Sequence, residues 1–438
     1  MSSPYMHDTS FFPKDEIEFP ARLESLRVGQ VLDAVARKSI CLVPVATLEA
    51  RGDDRPLGFD PYADESFMAL AKDLNAVIAP VTWYAPTGYT HSRPEEGTFD
   101  MQLSSFAAYL ENIISTLSAI GFHEVRMVIW TDPEDPERNA PLRDTCQFVK
   151  ANLFNDLWKI PEFGINWWDR PDHQDLHWQR HGLEILDRPD QTDWANGNGS
   201  LPLRLDQLTP TQLRNSLDSG FPMFLASAVV ENHGNQNPIG CDGYEAEDPL
   251  LLAAGDAPAV IGPAIWFGPT CYGVSGPELA TTDINGHIYE QYMEGVIGGL
   301  AAMGFQDIVF VQVHQGTGGA QANSTFMAAQ AWRSSLWRRE GFGTGWAGGD
   351  SPVQAPTNVE LITPPHAQYD HAGKNETSWM LHLRPEYTDL SLLRPDDYRF
   401  CWNEGDESEL ATAEWGETMC NKTVPALAEM IRERIRPA

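Results

Sequence analysis

Pro86-Thr-Gly-Tyr-Thr-His-Ser-Arg-Pro-Glu-Glu-Gly-Thr-Phe-Asp100, laid beside Pro269-Thr-Cys-Tyr-Gly-Val-Ser-Gly-Pro-Glu-Leu-Ala-Thr-Thr-Asp283, matches at eight of fifteen positions without a gap. At the same offset Gly121-Phe122 and the apolar run Val125–Trp130 correspond to Gly304-Phe305 and Ile308–Val313. A long segment that recurs once describes two related domains rather than a solenoid, which stacks many short repeats. Turn-forming residues cluster over 196–210, so the boundary is placed there, giving domains 1–205 and 206–438. Short apolar runs (Ile40–Val45, Val77–Val81, Phe224–Val230, Val260–Ile265, Ile308–Val313) alternate with helix-like stretches such as Phe106–Ile120 and Tyr289–Met303. That rhythm predicts an α/β protein in which each domain has a mainly parallel β-sheet flanked by helices.

The stretch Glu231-Asn-His233-Gly-Asn-Gln-Asn-Pro-Ile-Gly-Cys-Asp242 places three metal-competent side chains directly after the apolar run that ends at Val230. On an extended backbone residues two apart project to one side, so Glu231 and His233 can converge on one ion, with Asp242 arriving from the following loop. A carboxylate can bridge two divalent ions, and imidazole suits Zn, Mn or Fe. The plainer alternative is a polar loop whose acids face water. Ligands of open parallel sheets collect beyond the carboxyl ends of the strands, and His314, which closes the run Ile308–Val313, belongs to the same region.

The two copies are chemically unequal. Glu49 and Asp60 are spaced as Glu231 and Asp242 are, but Arg51 stands where the second copy has His233, and Thr131 where it has His314. An arginine is a permanent cation that repels a metal ion. The counterpart of His371-Ala-Gly-Lys-Asn-Glu376-Thr-Ser378 falls near 193–200 and has no His or Glu at the matching places. The expectation is one catalytic half and one supporting half.

Composition excludes several classes. A net charge of −32 over 438 residues repels phosphate backbones and anionic membranes, so neither nucleic acid nor membrane is expected as a partner. The first residues lack a basic and apolar leader, and no run approaches the roughly 18 apolar residues of a span, so a cytoplasmic location is expected. The six cysteines are scattered without C-x-x-C spacing and read as reduced thiols. The Gly-rich stretch within 332–352 reads as an excursion beyond the sheet. Trp379, Trp402 and Trp415 are candidates to wall a ring substrate, beside the commoner fate of core packing.

Taken in order, Glu231-x-His233-Gly-x-x-x-Pro-x-x-x-Asp242, Tyr272-Gly-x-Ser275, Gly304-Phe to His314, and His371-Ala-Gly-x-x-Glu376-Thr-Ser378 resemble the creatininase (creatinine amidohydrolase) family. The resemblance covers 206–438, with a faded echo in the first half. It implies that Glu231, Asp242 and His314 bind one divalent ion and that His233 and Asp242 bind a second. It also implies one or two ions (Zn, Mn or Fe) per site, with His371 handling protons beside the substrate. Glu376 is assigned to orient His371, with a further metal ligand as the alternative, and Tyr272 and Ser275 are candidates to line the pocket, with a structural role as the alternative because Tyr89 and Ser92 occupy the same places in the first copy. Creatininase itself carries a glutamate two residues after the histidine matched by His314, whereas Gln315-Gly316 follows here, which points away from creatinine.

The function expected from the resemblance is metal-dependent hydrolysis of a small cyclic or formyl amide. The alternatives are hydrolytic opening of an oxidised inositol ring or a lactone, and a non-catalytic metal-binding scaffold or sensor. Single-domain relatives assemble into symmetric oligomers, so a homo-oligomer acting on a small molecule is expected.

Overall fold

The computed structural model describes residues 14–88, 97–131, 140–154, 181–188, 201–271, 279–339, 357–393 and 407–436. The first sheet contains β1 (Ala21–Arg22), β2 (Ile40–Val45), β3 (Val77–Ile78), β4 (Glu124–Thr131) and β5 (Gly182–Asp187) in the spatial order β1-β3-β2-β4-β5. The second contains β6 (Leu203–Arg204), β7 (Met223–Ser227), β8 (Val260–Ile261), β9 (Asp307–Gln312) and β10 (Asn358–Ile362) in the order β6-β8-β7-β9-β10. Every pairing within them is parallel.

Parallel neighbours require crossovers. Here they are α1 (Val28–Ala36), α2 (Glu65–Asp73), α3 (Leu103–Ile120) and α4 (Ala140–Phe154) in the first half, and α5 (Pro210–Asp218), α6 (Cys241–Asp256), α7 (Gly286–Met303) and α8 (Ala320–Arg339) in the second. The expected α/β architecture, with two related parallel sheets flanked by helices, is what the chain adopts.

The repeat seen in the sequence is a repeat of helix stops and strand starts. The helices α3 and α7 are both 18 residues long. Each ends at a glycine in the left-handed region, Gly121 at φ 116° and Gly304 at φ 111°, where a Cβ would be strained. The following Phe122 and Phe305 are buried and lead into β4 and β9. All residues of β7 and β9 are buried, which explains their unbroken apolar character: helices cover both faces of such sheets.

Two apolar runs are longer than the strands they form. β3 and β8 stop two residues short of Pro80 and Pro263, which have no N–H to donate to a ladder. Pairing resumes beyond each proline with one bridge, Val45 to Thr82 and Ser227 to Ile265.

One apolar core runs through both halves. At its centre the rings of Tyr109 and Tyr292, which occupy matching positions on α3 and α7, stack with centroids 3.7 Å apart and planes 10° apart. The Tyr109 hydroxyl donates to the Phe267 carbonyl at 2.7 Å, and the Tyr292 hydroxyl donates to the Trp83 carbonyl at 2.8 Å. Each half thus satisfies a buried carbonyl of the other, at acceptors one residue apart in the repeat register.

A second exchange involves backbone alone. Ile239 and Gly240 donate to the carbonyls of Leu26 and Glu24 at 2.8 and 2.9 Å, while Leu57 and Gly58 donate to those of Leu208 and Asp206 at 2.9 and 2.8 Å. The approach leaves no room for a side chain: a Cβ on Gly240 would lie 2.5 Å from the Glu24 carbonyl oxygen, and one on Gly58 2.5 Å from the Asp206 Cβ.

The halves diverge after the last strand. In the second, α9 (Lys374–Leu383) and α10 (Ala413–Glu433) pack over α6, and Leu427, Ala428 and Ile431 close one sheet face against Val309 and Val311. In the first, Phe59, Phe67 and Ala71 cover the corresponding face against Val128 and Trp130. No helix among the described residues is long and apolar enough to cross a membrane.

Candidate metal centre

The strands β7 and β9 are adjacent, with Ser227 paired to Gln312, so the chain leaves both at one edge of the second sheet. His314 lies two residues past β9. After β7 the chain abandons the ladder: Glu231 donates to the Ile239 carbonyl at 2.8 Å, and Asn232 to the Thr281 hydroxyl at 3.1 Å. Gly234, at φ 73°, turns the loop, and its N–H donates to the Asn232 Oδ1 at 2.9 Å. Asp242 is delivered by the first turn of α6. The predicted convergence therefore comes from a folded loop rather than from a continuing strand.

Glu231, His233, Asp242 and His314 are 1 to 5% exposed. The His314 Nδ1 lies 3.1 Å from the Glu231 Oε2 and 3.2 Å from the Asp242 Oδ2. The His233 Nε2 lies 3.7 Å from the Asp242 Oδ1 and 3.6 Å from the Glu376 Oε2. Asp242 thus turns one oxygen toward each histidine. The Nδ1 of His233 is 3.0 Å from the Glu231 carbonyl, which fixes the tautomer and leaves Nε2 facing the acids.

Three sets have ligand atoms within 4.8 Å of one another: Glu231, Asp242 and His314; Glu231, His233 and His371; and His233, Cys241 and Glu376. The Glu231 Oε1 and the Nε2 atoms of His233, His314 and His371 are buried without a hydrogen-bond partner. Leaving a buried polar atom unpaired costs about 1–3 kcal/mol. Buried unpartnered atoms on residues whose carboxylates and imidazoles cluster this closely fit a divalent cation.

The electrostatics agree. Burial alone would lower the His233 imidazole, yet Asp242, Glu376 and Glu231 outweigh it and hold it at about 10. His314 is likewise raised, against its burial, by Glu231 and Asp242. Burial opposes ionisation of Glu231 and Asp242, but the histidines hold both below the ordinary carboxylate range. Burial and then His233 push His371 down to about 4. Glu376 is raised, first by burial and then by Glu245. The cluster is short of positive charge, and in the metal-free chain protons on the histidines make up part of it.

His371 is partly buried, its ring centroid 4.6 Å from that of His233. Its loop is pinned by Asp370, which accepts from the N–H groups of Gly373, Asn375 and Glu376 at 2.8 to 3.2 Å. The Glu376 carboxylate accepts from the Ala372 N–H at 2.6 Å and faces His233. The sequence pairs Glu376 with His371 or makes it a further ligand, and the carboxylate faces His233.

Gln236 and Asn237, absent from the residues singled out by the motifs, donate through their side-chain amides to the Ala372 carbonyl at 3.0 Å and to the Thr377 hydroxyl at 2.9 Å. These bonds join the loop bearing His233 to the loop bearing His371. The signal that finds them is the run of amides between the two ligands, whose burial would be costly without partners.

Tyr272, Ser275, Trp402 and the segment 193–200 lie outside the described residues, as does 340–356 within the predicted excursion. Trp379 packs with Met419 and Cys420 in the core. Trp415 donates its indole N–H to the Asn375 Oδ1 at 2.9 Å.

In the first half the Arg51 guanidinium makes a buried ion pair with Glu49 at 2.9 Å. Asp60 is exposed, and Thr131 ends β4.

The creatininase family model, described as creatinine amidohydrolase, matches this chain twice, over residues 24–147 and 206–431. Similar solved structures include a creatinine amidohydrolase (creatininase), 18% identical with a TM-score of 0.45, covering 55% of this chain and 100% of the other. A creatininase with manganese is 18% identical with a TM-score of 0.44, covering 54% of this chain and 99% of its own. A creatininase with one tryptophan replaced by alanine is 19% identical with a TM-score of 0.45, covering 54% and 99%. No curated protein matches.

Proposed function

The chain belongs to the creatininase family, and from that premise we propose that it is a divalent-metal-dependent hydrolase of a small cyclic or formyl amide, with its reaction carried by the second half. The observation that carries this reading is the buried set Glu231, His233, Asp242 and His314, whose carboxylate and imidazole atoms converge where β7 and β9 end. On this reading Glu231, Asp242 and His314 hold one cation, and His233 and Asp242 face a second.

A divalent ion held by these residues would lower the pKa of water toward roughly 7 and polarise the substrate carbonyl. Asp242 keeps the two histidines at a fixed separation by offering one oxygen to each. Gln236 and Asn237 hold the His371 loop against this array. The Nε2 of His371 takes the proton from the attacking water and returns it to the leaving nitrogen as the carbonyl carbon–nitrogen bond breaks. Burial of the ligands excludes bulk water from the developing charge.

The test is elemental analysis of the purified chain together with hydrolysis assays on cyclic amides, formamides, lactones and cyclic ketones. Glu231→Ala and His314→Ala should lose metal and turnover together. His371→Asn should lose turnover by about 10²–10⁴-fold while its metal content stays that of the natural chain. Metal lost from His371→Asn would remove its proton-transfer role, and a natural chain that takes up no metal would remove the hydrolase reading.

A further inference from the structure

The two long helices at the seam differ along the stripe that carries their stacked tyrosines. On α3 the stripe is Tyr109, Asn112 and Thr116; at the matching positions α7 has Tyr292, Gly295 and Gly299. Residues three and four apart share a helix face, so each set meets the other half as one row. We propose that Asn112 and Thr116 are positioning residues for the reaction: through them the half without the ligand set seats the segment 281–285 of the other half, and so holds the backbone around Glu231 and beside His314. The proposal rests on the metal-dependent reading above and gives a part in it to two residues outside the site.

The exchange of glycine for polar side chains is matched across the contact. Where α7 has glycines the first half packs large side chains: a Cβ on Gly299 would lie 2.3 Å from the Phe99 Cε2, and one on Gly295 2.5 Å from the Met101 Cε. Where α3 has Thr116 and Asn112, the second half has Thr282 and Ile284 in the places of Phe99 and Met101. Its backbone bonds to the helix instead. The Asp283 N–H donates to the Thr116 hydroxyl at 2.9 Å, and the Asn285 N–H donates to the Asn112 Oδ1 at 3.2 Å. One half's segment is thus held by packing, the other's by directed bonds.

The seated segment reaches the site in two directions. The N–H and the hydroxyl of Thr282 both donate to the Val230 carbonyl, at 2.9 and 3.1 Å, and the Thr281 hydroxyl accepts from the Asn232 N–H at 3.1 Å. These bonds hold the residues on either side of Glu231. The first half repeats the backbone bond, from Phe99 to the Leu48 carbonyl at 2.9 Å, but a phenylalanine has no hydroxyl to add a second. In the other direction the Asp283 Oδ1 accepts from the N–H groups of Thr270 and Cys271 at 2.8 and 2.9 Å. The Thr270 carbonyl in turn accepts from the side-chain amide of Gln315, the neighbour of His314, at 3.3 Å.

Asp283 is therefore where the first half, the loop bearing Glu231 and the residue after His314 are joined. Metal ligands have to be placed to within about 0.2 Å, so loosening this joint lets a bound cation leave faster.

The test compares variants of the full-length, zinc-loaded chain. Thr116→Val keeps the side-chain shape and removes the acceptor, Thr116→Ser restores it, and Asn112→Ala removes the second anchor. Tyr292→Phe weakens the seam at the Trp83 carbonyl instead. Two rates are read: zinc release to a chromogenic chelator, and amide hydrogen exchange over 281–285 and, as the internal control, 98–102. Thr116→Val should speed zinc release and exchange over 281–285 by about two- to tenfold, the effect of one lost hydrogen bond, and leave 98–102 unchanged. Asn112→Ala should act in the same direction, and it decides the matter should Thr116→Val not fold. Thr116→Ser and Tyr292→Phe should release zinc at the natural rate.

Natural release rates in both Thr116→Val and Asn112→Ala would overturn the positioning role. So would an acceleration that Thr116→Ser does not reverse, or one that Tyr292→Phe reproduces in full, since any loosening of the seam would then suffice. A natural chain that takes up no zinc would remove the hydrolase reading, while the exchange rates would still decide whether Thr116 and Asn112 seat the segment.

Discussion

Past the carboxyl end of β2 the chain places Glu49 and Arg51; past the end of β7 it places Glu231 and His233. The flanking topology is the same, and both glutamates are buried. In the first half the countercharge is covalent: a guanidinium 2.9 Å away that stays protonated at any physiological pH. In the second it is supplied by histidines, whose charge is conditional and whose Nε2 atoms have no hydrogen-bond partner. A buried acid next to a permanent cation is electrostatically finished, whereas the same acid next to imidazoles is ready to take up an external ion. Arginine in place of histidine at matching positions, together with Thr131 in place of His314 and an exposed Asp60 in place of the buried Asp242, separates a structural ion pair from a ligand set.

The sharpest way to break this comparison is to neutralise each glutamate in turn. Glu231→Ala should lower turnover by about 10²–10³-fold or more, while Glu49→Gln should leave it within about twofold, since only the former sits beside the proposed chemistry. Equal losses in steady-state assays would make the halves functionally equivalent.

Arg51→Ala should destabilise the metal-free chain by about 3–5 kcal/mol in denaturant titration, because it leaves the Glu49 carboxylate buried without its guanidinium. A cost below about 1 kcal/mol would mean that the pair is incidental.

The pH profile tests the seam between the halves. Glu24 of the first half and Glu247 of the second are each raised to about 7, mainly by burial, with Glu247 adding to the rise of Glu24 and Asp248 and Asp206 adding to that of Glu247. An acid whose folded pKa exceeds its unfolded value stabilises the fold below the unfolded value and loses that contribution as pH rises through the folded one. Stability attributable to Glu24 should therefore fall between about pH 4.5 and 7, by at most about 3 kcal/mol. Thermal melts of Glu24→Gln across that window should show a shallower decline than the natural chain.

The smallest effect comes from the stacked pair. Tyr109→Phe and Tyr292→Phe should each cost about 1–2 kcal/mol, one buried carbonyl losing its donor in each case. Similar values would show that the interface stayed symmetric where the strand ends did not.

Much of the architecture was legible because it is periodic. The offset between Gly121-Phe122 and Gly304-Phe305 located two helix stops, and the apolar runs located the central strands of both sheets. The strands β3 and β8 were overestimated since apolar character marks burial, while Pro80 and Pro263 control pairing. At the candidate site the short spacing from Glu231 to His233 and Asp242 was readable, and the structure brings these together with His314, His371 and Glu376. The contact of Glu376 with His233 was not readable, because it joins α9 to a loop more than a hundred residues earlier and no local pattern encodes such a meeting. The grip of Glu24 and Leu26 on Gly240 and Ile239 was hidden for the same reason, as a contact made by backbone atoms leaves no side-chain signature.

That grip has a consequence for how the site responds to concentration. Had the loop bearing Glu231, His233 and Asp242 been held by a separate copy of the chain, its geometry would dissolve on dilution as the two parted. Because the holding segment is tethered in the same polypeptide, its local concentration is set by chain connectivity, and this part of the site assembles as a first-order event. The tether also frees the holding half from being a ligand-bearing half: it can exchange a histidine for an arginine without that change appearing in the loop it holds.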